Sequence, residues 1–278
     1  MKNKKVIALS FILTLCLSSC SDWEQTVNLP DNNAVESKRV VLLEEFTGVS
    51  CVNCPAGIAI SNAIADAYPN NVVLVGIHSR FLAQPATKGQ VDLRLPDAQS
   101  IEDFLGDWLA KPEAAINRLY STQAISYRYG NPDSWKGIVE AELLKEVEFE
   151  LTIKPTYNEA TRELNVTLNA KALKDINKPI HLHCGITQSG IIADQLNNQS
   201  PKIVNFEHNH VLLKMLSAIS GDRISTSAIA NSSYTKTYTF TMPTDSILWK
   251  TDHCNVFGYV SLDENEKYIL QAAEAPLK

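Results

Sequence analysis

Arg39-Val-Val-Leu-Leu-Glu-Glu-Phe-Thr-Gly-Val-Ser-Cys-Val-Asn-Cys-Pro-Ala56 decides how the rest of the chain is read. Its apolar run, Val40 to Leu43, predicts a strand buried on both faces, as a central parallel strand would be. Gly48 breaks the run, and Cys51-Val52-Asn53-Cys54 follows. Ala56 to Tyr68 is rich in Ala and Ile with no breaker after Gly57, which predicts a helix. Asn71 to His78 is a second apolar run and predicts a second strand. A C-x-x-C at a strand-to-helix junction inside a βαβ pattern is a redox motif. Unpaired N–H groups and the dipole at a helix N-terminus stabilise a thiolate and lower its pKa. Two intervening residues let the second thiol reach back and resolve a mixed disulfide.

The chain begins with a leader. Lys2, Lys4 and Lys5 form a basic segment, and Val6 to Leu17 is apolar but too short for a stable membrane anchor. Leu17-Ser18-Ser19-Cys20 resembles a bacterial lipobox. That resemblance implies that residues 1–19 are a signal peptide cleaved before Cys20, and that Cys20 is lipidated and ties the protein to a membrane. The other reading is a plain secretory signal with an incidental cysteine. Ser21-Asp22-Trp23-Glu24 resembles the acidic stretch behind the lipidated cysteine of surface-exported Bacteroidetes lipoproteins. Read without that resemblance, residues 20–37 are a polar, flexible tether containing Pro30 and Asn32-Asn33. The leader takes three of the 25 basic residues and none of the 31 acidic ones, leaving a net charge of −9. Such a chain has no electrostatic footprint for nucleic acid. No other run approaches membrane-spanning length. Four cysteines remain, Cys51, Cys54, Cys184 and Cys254, an even set consistent with disulfides outside the cytoplasm.

Residues 38–147 predict an α/β unit. After a polar connection broken by Pro85, Gly89 and Pro96, Asp97 is a candidate cap for a helix running through Trp108, with Ile101, Phe104, Leu105 and Trp108 at helical spacing. Ala110 to Arg118 predicts a short strand entered through Pro112. Asp133 or Ser134 would cap a helix through Ile138, Val139, Leu143, Leu144 and Val147. Strand, helix, strand, helix, strand, helix is a parallel-type α/β order.

This segment resembles thioredoxin-like domains. The resemblance implies that Pro112 is the cis-proline before the strand that lies against the active-site cysteines; the alternative is a trans-proline opening a strand. Glu45 lies six residues before Cys51 and is followed by Phe46, where thioredoxins carry a buried acid and an aromatic. In that family the acid helps take the proton from the second cysteine, and a desolvated carboxylate has the raised pKa that this work needs. The other reading turns Glu44 or Glu45 to water at the strand end. The chain departs from thioredoxin at Ser50, where a tryptophan usually precedes the first cysteine, and at Val52-Asn53, which replaces Gly-Pro. Pro55 follows the second cysteine, a position that tolerates it because its missing N–H would be unpaired there. These departures remove the usual recognition surface of a general reductase.

Residues 148–278 change period to two. Val147, Phe149, Leu151 and Ile153 alternate with polar residues, as do Leu164, Val166, Leu168 and Ala170. Further strands are predicted at 179–187, 210–216, 234–242, 255–262 and 267–272. This pattern predicts an antiparallel, Ig-like β-sandwich. Cys184 shares a strand face with Ile180, Leu182 and Ile186; Cys254 shares one with Val256, Gly258 and Val260. The two could form a disulfide across the sandwich or stay as buried free thiols. His181/His183 and His208/His210 each put two imidazoles on one strand face, which could make a zinc or copper site or simply face water. No cysteine or carboxylate spacing completes a metal motif, so neither metal nor cofactor is expected. No G-x-S-x-G supports Ser/His/Asp catalysis.

Taken together, the chain resembles a Bacteroidetes outer membrane lipoprotein family described as twenty-eight-kilodalton outer membrane protein related. The matching residues are Cys20, Cys51-Val52-Asn53-Cys54-Pro55, Pro112 with Ile116-Asn117-Arg118, His208-Asn209-His210-Val211-Leu212, and Tyr268 to Ala272. The resemblance implies a lipid-anchored outer membrane protein, periplasmic or surface-exposed, with a thioredoxin-like domain followed by a β-sandwich. Two functions are compatible with it. One is thiol–disulfide exchange with protein partners of the cell envelope, Cys51 attacking and Cys54 resolving. The other is a non-enzymatic surface lipoprotein, its β-sandwich binding a protein or ligand and its C-x-x-C a structural disulfide.

Overall fold

Strand β1 (Val41–Thr47) is buried along its whole length, as its apolar run requires. The computed structural model describes residues 38–80, 82–106, 110–198, 202–245 and 247–278; the leader, Cys20 and the tether fall outside them. Beside β1 runs β2 (Val72–His78), parallel, with Glu45 opposite Gly76 and Thr47 opposite His78. Helix α1 (Cys54–Ala67) closes one face of this pair, where Ile64 packs with Val41, Leu43 and Leu74. Helix α2 (Pro96–Phe104) closes the other, with Ile101 against Leu42, Phe46, Val75 and Ile77. Two-sided burial explains why neither strand alternates.

The cap expected at Asp97 is not made. Leu95 takes the cap position, and the Asp97 carboxylate accepts from the Met215 N–H and Lys214 Nζ, both at 2.7 Å. Residues 107–109, including Trp108, lie outside the described residues. Strand β3 (Glu113–Ile116) follows and pairs with β1 antiparallel, so of the strand pairs within residues 38–147 β1–β2 is parallel and β1–β3 is not. Helix α3 (Trp135–Leu143) follows a 3₁₀ turn at Pro132–Ser134 that the Asn131 side chain caps; Ser134 stands at the N-cap position of α3, one of the two expected, but its side chain makes no capping bond.

Apart from a 3₁₀ turn at Thr251–His253, the elements beyond α3 are strands: β4 (Phe149–Asn158), β5 (Glu163–Ala172), β6 (Ile180–Gln188), β7 (Ile191–Gln195), β8 (Ile203–His208), β9 (Val211–Met215), β10 (Asp222–Ser225), β11 (Ser233–Thr241), β12 (Cys254–Leu262) and β13 (Ile269–Pro276). The protein is thus mostly β-sheet with few helices. A mixed sheet runs β13-β12-β6-β9-β2-β1-β3, with β10 also on β6; β11-β5-β4 form an antiparallel sheet, and β7-β8 a hairpin. The expected boundary at 147/148 falls between α3 and β4, yet strands from both sides of it share the mixed sheet. Residues Glu36–Lys278 form one compact unit.

Buried polar contacts join the two segments as well. Arg118 donates to both Glu44 oxygens at 2.9 and 2.7 Å and to the Tyr259 hydroxyl at 2.8 Å. Asn117 accepts from the Leu42 N–H with its side chain and from the Ile269 N–H with its carbonyl, each at 2.9 Å. Between the mixed sheet and the three-stranded sheet lies a core in which Leu164, Val166 and Leu168 meet Ile180, Leu182 and Ile186.

Cys184 and Cys254 both enter this core, but each is a free buried thiol. They occupy neighbouring strands of one sheet, Cys184 opposite Gly258 and Cys254 opposite Gln188. That four-residue offset separates them by about 13 Å along the strand, beyond the ~7 Å that a disulfide spans between Cα atoms. Of the two expected histidine pairs, one shares a strand face and the other does not. His181 and His183 share β6, bonded at 2.8 Å to the Ser220 carbonyl and the Ser261 hydroxyl respectively. His208 ends β8, whereas His210 has φ +56° in the link to β9, so these two do not share a strand face.

Candidate functional site

Past Thr47 the chain turns sharply, and Gly48 is required there because a Cβ would sit 2.2 Å from the Leu82 carbonyl oxygen. The Ser50 N–H donates to that oxygen at 2.8 Å, and the Cys51 N–H donates back to Gly48 O at 3.0 Å. Cys51 and Cys54 form a disulfide with Cα atoms 5.3 Å apart. Cys54 is the first residue of α1, Asn53 offers no side-chain cap, and the first turn carries no acid. The orphan N–H groups and positive end of the helix therefore act on the two sulfurs, the setting that favours a thiolate. Cys51 is 2% exposed and Cys54 0%, while Val52 between them is 43% exposed.

Pro112, joined to Lys111 by a cis peptide bond, lies against this loop. The Cys51 sulfur is 3.6 Å from the Lys111 carbonyl oxygen. Gly57 makes the approach possible: a Cβ there would meet the Pro112 ring at 2.6 Å and Glu45 Oε1 at 3.4 Å. Cys54 lies three residues before Gly57 on the same buried helix face, a spacing of about 5–6 Å between Cβ positions. The structure thus gathers all four residues read from the sequence, Cys51, Cys54, Glu45 and Pro112, around the first turn of α1.

Glu45 points into the protein. Its Oε2 accepts from the Ser61 hydroxyl at 2.7 Å. Burial pushes its pKa up to about 7, with the Ser61 and Thr47 hydroxyls opposing the rise. It can therefore exchange a proton near neutrality. On the other side of Pro112, Lys111 is buried: its Nζ donates to the Ser79 carbonyl and pairs with Glu102 at 3.5 Å, which fixes the loop carrying the proline. Burial lowers the pKa of Lys111.

The hairpin β7–β8 covers the dithiol loop. Gln195 Nε2 donates to Gly48 O at 3.1 Å and Cys51 O at 3.0 Å. The Leu196 N–H donates to Val49 O at 2.8 Å and the Asn198 N–H to Val52 O at 3.1 Å. Sequence reasoning missed these strands because polar residues interrupt them. It also passed over Ser61, Thr47, His78 and Lys111; the available signal was a polar residue ending each apolar strand, Thr47 on β1 and His78 on β2. Among the described residues no cluster of three or more His, Cys, Asp or Glu could hold a metal ion.

The model of the family described as outer membrane protein Omp28 matches residues 107–277, more than half of the chain. HBP35 of Porphyromonas gingivalis has a similar structure, with a TM-score of 0.67 at 19% identity over 86% of this chain and 75% of that one. A protein of Agrobacterium tumefaciens, AGR_C_4864, gives a TM-score of 0.52 at 11% identity over 87% of this chain and 96% of that one. These likenesses concern the fold. No curated protein matches the chain. Among the described residues no helix is long and apolar enough to cross a membrane.

Proposed function

The chain belongs to the Omp28 family of outer membrane proteins, and from that premise we propose that it exchanges thiols and disulfides with protein partners in the cell envelope. In this reading β1, α1, β2 and β3 are a thioredoxin-like unit, and the strands from β4 onward build an Ig-like sandwich onto its sheet. Cys20 is the lipid-anchored first residue of the mature protein, periplasmic or surface-exposed.

One observation carries the exchange reading: the Cys51–Cys54 disulfide sits at the uncapped head of α1, against the cis-Pro112 loop and above a buried carboxyl that titrates near neutrality. In the reducing direction the Cys51 thiolate attacks a partner disulfide, forming a mixed disulfide and expelling one partner thiolate. Cys54 then gives its proton to Glu45 and attacks the Cys51 sulfur. The Cys51–Cys54 disulfide forms, and the second partner thiolate leaves with the electron pair and takes up a proton. The same steps reversed oxidise a partner dithiol, and the redox poise of the pair sets the direction.

The experiment is equilibration of the mature chain in glutathione buffers, with Cys51 and Cys54 read by alkylation and mass spectrometry. Exchange requires a midpoint within the buffered range and a depressed Cys51 pKa. The second reading, a permanent structural disulfide in a binding lipoprotein, is favoured by the near-complete burial of both sulfurs under the β7–β8 hairpin. It predicts that the bond stays oxidised in every buffer.

A further inference from the structure

On the α1 face of β1 and β2, the side chains of Glu45, Thr47 and His78 surround Gly76, whose missing side chain leaves space between them. The backbone at Asn209 and His210 closes in on that glycine, the Gly76 N–H donating to His210 O at 2.7 Å. What remains is a small cavity of about 10 Å³, lined also by Ile58, Asn62, Leu74, Phe206, His208 and Asn209. Glu45 Oε1, Thr47 Oγ1 and both ring nitrogens of His78 and His208 are buried and make no hydrogen bond of regular geometry with the protein, although the Thr47 hydroxyl lies close enough to act on Glu45, the Gly76 backbone on His78 and the Ala193 backbone on His208. His78 and His208 meet edge to face with ring centroids 5.7 Å apart.

Buried polar atoms are rarely left unpaired, because each one costs its full desolvation. Here six of them belong to four residues that share one cavity, and its volume is about that needed for a single water. We infer that the cavity is a bound-water site joining the Glu45 carboxyl to the imidazoles of His78 and His208, which makes the β7–β8 hairpin part of the dithiol site as well as its cover. The water accepts the proton that Cys54 leaves on Glu45 and passes it to solvent between the half-buried Ile58, Asn62, Phe206 and Asn209. This proton route rests on the exchange reading above; the water site does not.

The ionisable groups facing the cavity are Glu45 from β1, His78 from β2 and His208 from β8, with Cys54 one helical turn away on α1. Burial, then His208, then Lys111 from the loop before β3 hold the His78 imidazole well below its ordinary pKa. Burial lowers His208 to about 4. His210, beyond Gly76, faces Asp66. Both cavity imidazoles are therefore neutral near pH 7, each with one N–H to donate and one nitrogen to accept. They are positioning residues for the water.

The test is the titration of Glu45 in the full mature chain, followed by carboxyl ¹³C NMR, in the parent and in the His208→Phe, His208→Gln and His78→Gln variants. Phenylalanine removes the donor and crowds out the water, so the carboxylate loses solvation and the Glu45 midpoint rises by about one pH unit. Glutamine keeps a donor, so either glutamine variant moves it by less than half as much. With the midpoint moved up by one, the ionised fraction of Glu45 at pH 7 falls roughly fivefold. Exchange with oxidised glutathione slows in proportion and recovers above pH 8. A Glu45 midpoint unchanged in folded His208→Phe, or shifted equally by glutamine and phenylalanine, overturns the water site. A shifted midpoint in a chain whose parent never exchanges with glutathione overturns the exchange reading and the proton route, while the water site stands on the titration.

Discussion

Glu44 and Glu45 are adjacent in β1 yet lie on opposite faces of the sheet with opposite partners. Glu44 is held by two hydrogen bonds from Arg118. Glu45 faces α1 with a hydroxyl from Ser61, and burial pushes it up to about 7. The two-residue period of a strand produces the split, because successive side chains leave opposite faces. One carboxylate fastens the fold and its neighbour is left able to move a proton.

Glu45 makes stability depend on pH with a definite sign. Its folded pKa is raised from 4.5 to about 7, so the folded chain binds the extra proton and its contribution is complete below pH 4.5. That contribution is lost as pH rises to about 7, amounting to about 3 kcal/mol. Glu45→Gln removes the dependence. Urea unfolding across this range should show the variant gaining on the parent by about that amount. The opposing contribution of His208, present in both chains, cancels in the difference. A constant difference between the two chains rejects a desolvated Glu45.

In the reduced protein, Cys51 should be alkylated before Cys54, at a pH well below the ~8.5 of a free thiol, because it lies next to the head of α1 and adjoins the exposed Val52. Cys54→Ser should accumulate mixed disulfides through Cys51, whereas Cys51→Ser should accumulate almost none. Non-reducing gels of envelope extracts read the outcome, and equal trapping by both variants rejects the assignment.

Gln195→Ala removes the side chain that ties the hairpin to Gly48 O and Cys51 O. Local opening should become easier, and reduction of Cys51–Cys54 by dithiothreitol severalfold faster, with little change in melting temperature. An unchanged rate means that the hairpin does not control access.

Cys184 and Cys254 should resist alkylation until the protein unfolds. Burial pushes both thiols up to about 12, and no disulfide joins them. Thiol counting on the reduced mature chain should find both only after denaturation. Prompt labelling of either in the native state contradicts their burial.

Arg118→Met leaves the Glu44 carboxylate buried without its cation and deprives the Tyr259 hydroxyl of its donor. Breaking a buried pair from one side destabilises by about 3–5 kcal/mol. Replacing both partners, as Glu44→Leu with Arg118→Met, should recover most of that loss. Denaturant midpoints of the single and double variants decide it.

Much of the dithiol site could be read from the chain because its signals are local. An apolar run, a glycine, two cysteines three residues apart and a breaker-free segment specify β1, the turn and α1 within thirty residues. Burial of Glu45 followed less directly, since its face depends on register, and a slip of one residue exchanges it with Glu44. The sequence paired His208 with His210 and gave no sign of its meeting His78. His208 sits 130 residues beyond His78, and only the approach of the 209–210 backbone to Gly76 brings the two rings together.

The second segment shows the same division. Alternation in β5 was legible because one face meets the core and the other meets water. That β6, β9, β12 and β13 extend the sheet of β1 and β2 was not, because strand pairing over such separations is decided by which edges meet. The same fact undid the cross-sheet disulfide, placing Cys184 and Cys254 in adjacent strands at the wrong offset. By itself, then, the sequence determined most of the strands and helices, though not β7, β8 or β10, and that a dithiol stands at a helix head. Those properties arise from neighbours along the chain. Which carboxylate is buried, what covers the sulfurs and where a water can sit depend on contacts between distant segments, and only tertiary packing chooses among them.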